Sequence, residues 1–275
     1  MATGTSQGPW TRIRPLQRHE LDVYTHAGMK TAELTWGSFP NNLGRTMSYC
    51  PRLMETEVEY CNSFIFDQPT YRQRSEFDEP DRNPDRAHVV QQTTQVCGFN
   101  DRFLKELVIS KTSLVNRSRY SVTHHAFLGY ALYQAAGRAE EAHQKYLHLH
   151  EHAKHPGVYS DLEMAVLTYT EKVTRDAHTV SDDEFAQLKS LLAANNAGDE
   201  YYEGLGDDEK ARHVDAQIVE LTWLIGHFCL LNRWFTVLQV PDETDQDEVN
   251  FLGVYEQVVP KDIRKRNEDV LAGDF

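Results

Sequence analysis

The stretch Glu106–His125, ELVISKTSLVNRSRYSVTHH, decides the fold. An asparagine followed by an arginine in its middle is a turn signal, so the sequence predicts two helices joined by a short turn. Glu106 lies on the first helix. Ser118, Ser121 and His125 follow on the second at spacings of three and four residues, which places them on one helical face. A carboxylate that can orient an imidazole, with hydroxyl groups beside it, indicates an acid/base site.

These residues resemble the active-site segment of the carboxymuconolactone decarboxylase and alkylhydroperoxidase-D superfamily, whose peroxidase branch carries Glu…Cys-x-x-Cys-x-x-x-His at this spacing. Further similarity lies downstream, in Tyr159–Ala165, Ile225–Gly226 and Asn232–Trp234. The resemblance covers roughly residues 33–240 and implies an all-α, AhpD-like helical bundle formed as a single domain. We expect residues 1–32 to be an N-terminal arm with a helical extension and residues 241–275 to be a C-terminal tail.

Serines at positions 118 and 121 stand where the peroxidases have both cysteines. Peroxide reduction needs a thiolate that attacks oxygen and a second thiol that resolves the oxidised product. A serine hydroxyl cannot be oxidised in that way and cannot form a disulfide, so the sequence argues against a thiol peroxidase. The decarboxylase branch, by resemblance, works without the cysteine pair and without a metal or organic cofactor.

The resemblance therefore implies a cofactor-free lyase or isomerase that acts on a small oxygenated organic acid, lactone or related metabolite. His125 would be the general acid/base and Glu106 would orient it. Ser121, together with Ser118 or Tyr120, would bind the developing oxyanion. One alternative is a serine-dependent hydrolase with Ser121 as nucleophile, His125 as base and Glu106 as third member. Another is a non-catalytic binding or assembly protein on a peroxidase-like scaffold.

Several of these residues also have structural interpretations. Ser118 is well placed to cap the second helix by accepting a hydrogen bond from the amide of Ser121. Ser121 itself can bind substrate, act as a nucleophile or simply pack as a helix hydroxyl. Tyr120 is of a type that often packs in a core, and His124 faces either the pocket or a neighbouring subunit.

Charge and composition limit the partners. A net charge of −14 argues against nucleic acid or an anionic membrane, because both repel acidic surfaces. Four dispersed cysteines without zinc or redox spacing, and no apolar signal core, predict a cytoplasmic protein. The small-molecule substrate is implied by the family resemblance. No carboxylate or cysteine completes a metal site around His148, His152 and His155, so we expect a solvated histidine-rich helix end and no metal. By resemblance the protein is a homo-oligomer.

The remaining pattern is helical, with a long apolar helix over residues 213–238 as a candidate interface, and with Trp223 and Trp234 as core or interface residues. Residues 195–210 and 241–250 are predicted to be acid-rich loops. The other predicted elements are helices at 19–29 and 51–66, an insertion at 67–86, a helix at 101–115 capped by Asn100, a helix ending at Gly137, and helices beginning at capping boxes Ser160–Glu163 and Ser181–Glu184. The β-branched residues at 89–96 favour a strand, but the family resemblance implies a helix there, and we follow the resemblance.

Overall fold

The computed structural model describes residues 11–21, 41–65 and 99–273, and every regular element within these ranges is helical. The prediction of an all-α fold is confirmed. The helices are α1 Asn42–Met47, α2 Pro51–Phe64, α3 Arg102–Val115, α4 Arg119–Ala135, α5 Ala139–His148, α6 Asp161–Asp176, α7 Asp182–Asn196, α8 Glu200–Glu203, α9 Asp207–Leu238, α10 Phe251–Val258 and α11 Lys261–Ala272, with 3-10 turns at Arg18–Glu20, His152–Lys154 and Ala177–Thr179.

The chain divides into two compact units. The first unit comprises Met1–Cys97 and Trp234–Val254, and the second comprises Gly98–Arg233 and Tyr255–Phe275. Most of the helix predicted at 19–29, the insertion at 67–86 and the helix at 89–96 lie outside the described residues.

Acidic residues of the segment 241–250, which the sequence pattern predicted to be solvated, make hydrogen bonds within the first unit. The Glu243 carboxylate is fully buried and accepts a hydrogen bond from the backbone N–H of Asn42, at the start of α1. Asp247 accepts from Arg45 Nη1 at 2.8 Å. The prediction of a solvated acidic linker over residues 241–250 is therefore wrong, because backbone and guanidinium donors satisfy two of its acids.

The second unit is built around the α3–α4 hairpin, which packs against α5 and α6, while α7 packs against α6. Asp101 caps α3 by accepting from the backbone N–H of Leu104 at 2.9 Å. The predicted cap, Asn100, is wrong by one residue, because its amide donates instead to Glu220 Oε2 at 2.7 Å. The capping boxes predicted at Ser160 and Ser181 are both present.

Two ion pairs whose lysine side chains are buried fix α3 within this unit. Lys105 Nζ lies 3.1 Å from Glu220 Oε1 on α9, and Lys111 Nζ lies 2.8 Å from Glu171 Oε2 on α6. Both lysine side chains are almost completely buried, so each ammonium depends on its carboxylate partner. α3 is thereby tied to two helices that lie far from it in sequence.

The long helix α9 begins at Asp207, earlier than the predicted residue 213. Three acids, Asp207, Asp208 and Glu209, occupy its first turn, where they interact favourably with the helix dipole. The acid-rich stretch predicted to be a loop is thus partly the start of this helix. By length and composition alone, α9 is the one described helix that could span a membrane, and a core helix of a protein passes the same test.

Candidate functional site

A histidine–carboxylate pair joins the two helices of the hairpin. His125 Nδ1 lies 2.9 Å from Glu106 Oε2. The Glu106 side chain is 0% exposed and that of His125 is 12% exposed. The chain reverses between the helices at Arg117, whose φ of 54° lies in the left-handed region, in agreement with the predicted turn.

Arg102 completes this arrangement from one turn earlier on α3. Its Nε donates to Glu106 Oε1 at 2.9 Å, and its Nη2 donates to the same oxygen. Burial raises the pKa of Glu106, but the electrostatic attraction and the hydrogen bonds of Arg102 and His125 outweigh it and hold the pKa below its usual value. Glu106 is therefore an anion with both oxygens occupied.

The charge of Glu106 fixes the tautomer of His125. A carboxylate only accepts hydrogen bonds, so Nδ1 carries the proton that lies between the two groups. The imidazole contacts the ring of Phe228 edge-on, with 4.8 Å between centroids, and Nε2 has no hydrogen-bond partner among the described residues. Nε2 is thus the nitrogen that remains available to give or take a proton.

Ser121 is turned away from this imidazole. Its Oγ lies 2.7 Å from Ser113 Oγ, and Ser113 donates its own proton to the carbonyl oxygen of Ile109 at 2.7 Å. Ser121 must therefore be the donor in the pair, because a hydroxyl has one proton. Asn232 Nδ2 lies 3.5 Å from Ser113 Oγ on another side. Within the described chain, Ser121 makes no hydrogen bond with His125.

Ser118 occupies the cap position of α4 without making the predicted capping bond. Its ψ of 101° differs from the values near 160° of Asp101, Ser160 and Ser181, whose side chains do cap their helices. Ser118 Oγ is buried and finds no hydrogen-bond partner in the described part of the chain. The prediction that Ser118 caps α4 is therefore wrong. Its buried hydroxyl makes no hydrogen bond to the described part of the chain.

Tyr120 and His124 pair with each other. Their rings stack with 4.1 Å between centroids, and His124 Nδ1 lies 2.8 Å from the Tyr120 carbonyl oxygen. Neither residue hydrogen-bonds to His125 or stacks on it. Tyr120 is buried, as its structural interpretation predicted.

Tyr146, on α5, is a neighbour of Glu106 that sequence reasoning missed. A Cβ added at Gly129 would lie 1.6 Å from Tyr146 Oη and 3.2 Å from Glu106 Cβ, so only glycine leaves room for this hydroxyl. Burial first, and then the charge of Glu106, raise the pKa of Tyr146 well above its usual value. Neither Tyr146 Oη nor the nearby Ser110 Oγ has a hydrogen-bond partner of normal geometry among the described residues.

Arg102 was also missed, although its position four residues before Glu106 is a signal that could have revealed it. Tyr146 left no such signal, because its contact with Gly129 is made between different helices.

The histidine-rich segment is partly buried rather than solvated. His148 and His155 stack with 3.8 Å between ring centroids, and His152 is buried, with Nε2 3.2 Å from Thr168 Oγ1. Burial lowers the pKa of His152 to about 4. No group of three or more metal-ligating side chains occurs in the part of the chain that the structure describes.

A cavity of about 280 Å³ lies between α6 and α7, with Met164, Thr168, Lys172 and Leu191 among its walls. None of the predicted site residues lines it. The cavity therefore gives no information about a substrate at His125.

Comparisons with known proteins agree with the fold. No family model matches the chain, and no curated protein matches it. A solved structure of an alkylhydroperoxidase AhpD core, an uncharacterized peroxidase-related protein from Ralstonia eutropha JMP134, is 14% identical with a TM-score of 0.54, covering 87% of this chain and 95% of that one. An uncharacterized peroxidase-related protein from Silicibacter sp. TM1040 is 12% identical with a TM-score of 0.55, covering 90% and 98%. These similarities establish an AhpD-like fold.

Proposed function

We propose that this protein is a cofactor-free acid/base enzyme, of the lyase or isomerase type, in which His125 Nε2 moves a proton on a small oxygenated acid, lactone or related metabolite. The observation that carries this proposal is the Arg102–Glu106–His125 chain. A fully buried carboxylate, held ionised by an arginine, has its second oxygen directed at one imidazole nitrogen. This arrangement orients the ring and stabilises the imidazolium formed when Nε2 accepts a proton.

The roles follow from the hydrogen bonds. His125 removes a proton from a carbon next to a carbonyl and returns it elsewhere, which contributes about 10²–10⁴-fold to the rate. Glu106 orients His125, and Arg102 keeps Glu106 charged. Because Ser121 already donates its proton to Ser113, Ser118 is the better donor to an oxyanion, since its hydroxyl is uncommitted.

The hydrolase alternative receives less support. A serine nucleophile needs to donate its proton to the histidine base, as in the Ser-His-Asp arrangement. Ser121 donates to Ser113 instead, within a network that packs α4 against α3. The two similar structures are of peroxidase-related proteins, but we do not extend a peroxidase activity to this chain, because serines occupy positions 118 and 121.

Exchange of substrate carbon-bound hydrogen for solvent deuterium, followed by NMR over a panel of small keto acids, hydroxy acids and lactones, tests the proposal. His125→Gln should reduce the exchange rate by about 10²–10⁴-fold. His143→Gln is the matched control, because His143 forms another histidine–carboxylate pair, with Asp262 at 2.8 Å. It should leave the rate unchanged.

Three outcomes would decide against the proposal. Equal rates for wild type and His125→Gln would favour the non-catalytic alternative. Ester hydrolysis with fluorophosphonate labelling that is lost in Ser121→Ala would favour the hydrolase. Hydroperoxide reduction by the wild-type chain would contradict the argument from the serines. Circular dichroism of each variant separates lost chemistry from lost folding.

A further inference from the structure

The cavity between α6 and α7 is a groove formed by one face of each helix. α6 contributes the side chains at 161, 164, 165, 168, 169 and 172, and α7 contributes those at 184, 187 and 191. Spacings of three, four and seven residues are those of a single helical face. At a rise of about 1.5 Å per residue, the α6 face is roughly 16 Å long. Both helices belong to the second unit, so the groove is formed within one compact body.

An ion pair closes one end of the groove. Lys172 Nζ contacts Glu184 Oε1 and donates to the Thr179 carbonyl oxygen at 3.1 Å. Glu184 Oε2 in turn accepts from the backbone N–H and from the hydroxyl of Ser181, both at 2.9 Å. These two charges are satisfied by each other and by the protein, so neither of them calls for a ligand.

The other end of the groove holds a carboxylate that the protein does not use. Asp161 is exposed, and its side chain makes no hydrogen bond or ion pair with the described residues. The start of α6 is capped by Ser160 and Glu163 instead. Residues 161–191 hold seven acids and three bases, so the electrostatic field over the groove favours a cation.

Between the two ends the walls are mostly apolar. Met164 and Ala165 of α6 face Leu191 of α7, and Thr168 and Gln187 are the polar side chains of this part. Sites for small molecules have this composition, with an apolar lining and a few polar groups that fix the orientation of the ligand. The groove therefore has the chemistry of a binding site as well as the shape of one.

Thr168 has hydrogen-bonding capacity to spare. Its Oγ1 lies 3.2 Å from His152 Nε2. Thr170 and Thr174, on the same helix, instead donate to the carbonyl oxygen four residues earlier. A hydroxyl offers one donor and two acceptor positions, so the bond to His152 leaves Thr168 able to bind a second polar group.

We propose that this groove is a further binding site, which takes a small organic cation: a primary ammonium group on an apolar body of about ten carbon atoms. The ammonium pairs with Asp161, and the body lies against Met164, Ala165 and Leu191. Small-molecule pockets typically measure about 300–1,000 Å³, so a groove of about 280 Å³ suits a ligand at the small end of that range. A peptide helix, about 10 Å wide, is too large for it. None of the residues assigned to proton transfer lines the groove, so this site is independent of the proposed reaction.

Ligand-observed NMR titrations of the full chain with three probes of one skeleton test the proposal. Phenylbutylamine carries the ammonium group, phenylbutanol is neutral and phenylbutyrate is an anion. At low salt the amine should bind with a Kd of about 1 mM, which is the affinity that a ligand of this size usually reaches. The alcohol should bind about three- to tenfold more weakly, and the butyrate more weakly still, because both lack the charge that pairs with Asp161.

Two variants locate the bound amine. Ala165→Leu fills the groove with a larger apolar side chain and changes no charge, so it should weaken amine binding by more than about tenfold. Asp161→Asn should weaken amine binding by about three- to tenfold and leave the binding of the alcohol unchanged. Asp183→Asn is the matched control, because Asp183 is also an exposed acid in the first turn of a helix but does not line the groove. It should leave amine binding unchanged.

A wild-type chain that does not bind the amine would overturn the proposal. Equal binding of the amine and the butyrate would also overturn it, because the site would then not select a cation. Amine binding that survives Ala165→Leu would reveal only a general attraction of cations to a chain with a net charge of −14, which is a third contrary result. Circular dichroism checks the fold of each variant. Should Ala165→Leu fail to fold, equal amine affinities of Asp161→Asn and Asp183→Asn would still refute the site.

Discussion

Replacement of Gly129 by alanine should disturb the packing beside Glu106. The new Cβ would lie 1.6 Å from Tyr146 Oη and 2.6 Å from Tyr146 Cζ, well inside van der Waals contact. The tyrosine ring or α4 must then move, at a cost of about 1–3 kcal/mol that is typical of overpacking. Because an overlap at 1.6 Å is severe, we expect a cost in the upper part of that range, about 2–3 kcal/mol. Alanine regains about 1 kcal/mol of helix propensity, so the net loss in the free energy of unfolding should be about 1–2 kcal/mol.

Tyr146→Phe is the matched second change. It removes Tyr146 Oη, which is both the atom at 1.6 Å and a buried hydroxyl with no partner of normal geometry. Alone, this change should leave the free energy of unfolding unchanged or raise it slightly. Combined with Gly129→Ala it leaves the contact at 2.6 Å and should recover about half of the loss. The coupling free energy in a double-mutant cycle should be about 1 kcal/mol.

Urea unfolding followed by far-ultraviolet circular dichroism measures all four proteins. Gly157→Ala is a control, because nothing lies within 4 Å of its added Cβ, and its stability should stay within about 0.5 kcal/mol of wild type. If Gly129→Ala is as stable as wild type, or if Tyr146→Phe gives no rescue, the hydroxyl does not occupy the space beside Glu106 and the reasoning fails.

Three further predictions concern charges and caps. Arg102→Met should lower the free energy of unfolding by about 3–5 kcal/mol, because it leaves Glu106 a buried carboxylate with one partner. Thermal unfolding measures this change, and a loss below about 1 kcal/mol would contradict the argument. Asp101→Ala should lower the free energy of unfolding by about 1 kcal/mol, because it removes the cap of α3. Thermal unfolding measures this change as well, and an unchanged stability would contradict the role of Asp101 as the cap. His152 has its folded pKa lowered to about 4, so its neutral form contributes stability above its unfolded pKa of about 6.5, and that contribution is lost as pH falls. Urea titrations should show about 3 kcal/mol lost by pH 4 in wild type and a flatter profile in His152→Gln, and identical profiles would remove this assignment.

The hairpin could be predicted because its signals are local. The asparagine–arginine turn and the capping boxes at Ser160 and Ser181 depend on residues within four positions of one another. The pairing of Glu106 with His125 across the turn follows from the lengths of the two helices. Such features depend little on the rest of the chain.

Other features could not be predicted, because they depend on contacts made between distant segments. Ser121 and Ser118 share a face with His125, but the actual bonds are decided by Ser113 on another helix and by the ψ of Ser118. The burial of Glu243 depends on the backbone N–H of Asn42, about 200 residues away in sequence. A local pattern of acidic residues does not reveal a hydrogen-bond donor that lies far away in the sequence.

The three charged residues that α3 buries have a consequence for how this chain can vary over time. Lys105, Glu106 and Lys111 are satisfied by α9, α4 and α6 respectively. Sliding α3 by a single position would separate all three residues from these partners at once, each at a cost of several kcal/mol, and Glu106 would keep only Arg102 from its own helix. These charged contacts thereby fix the alignment of four helices. During evolution, a substitution of one member of a pair would require a compensating substitution of its partner.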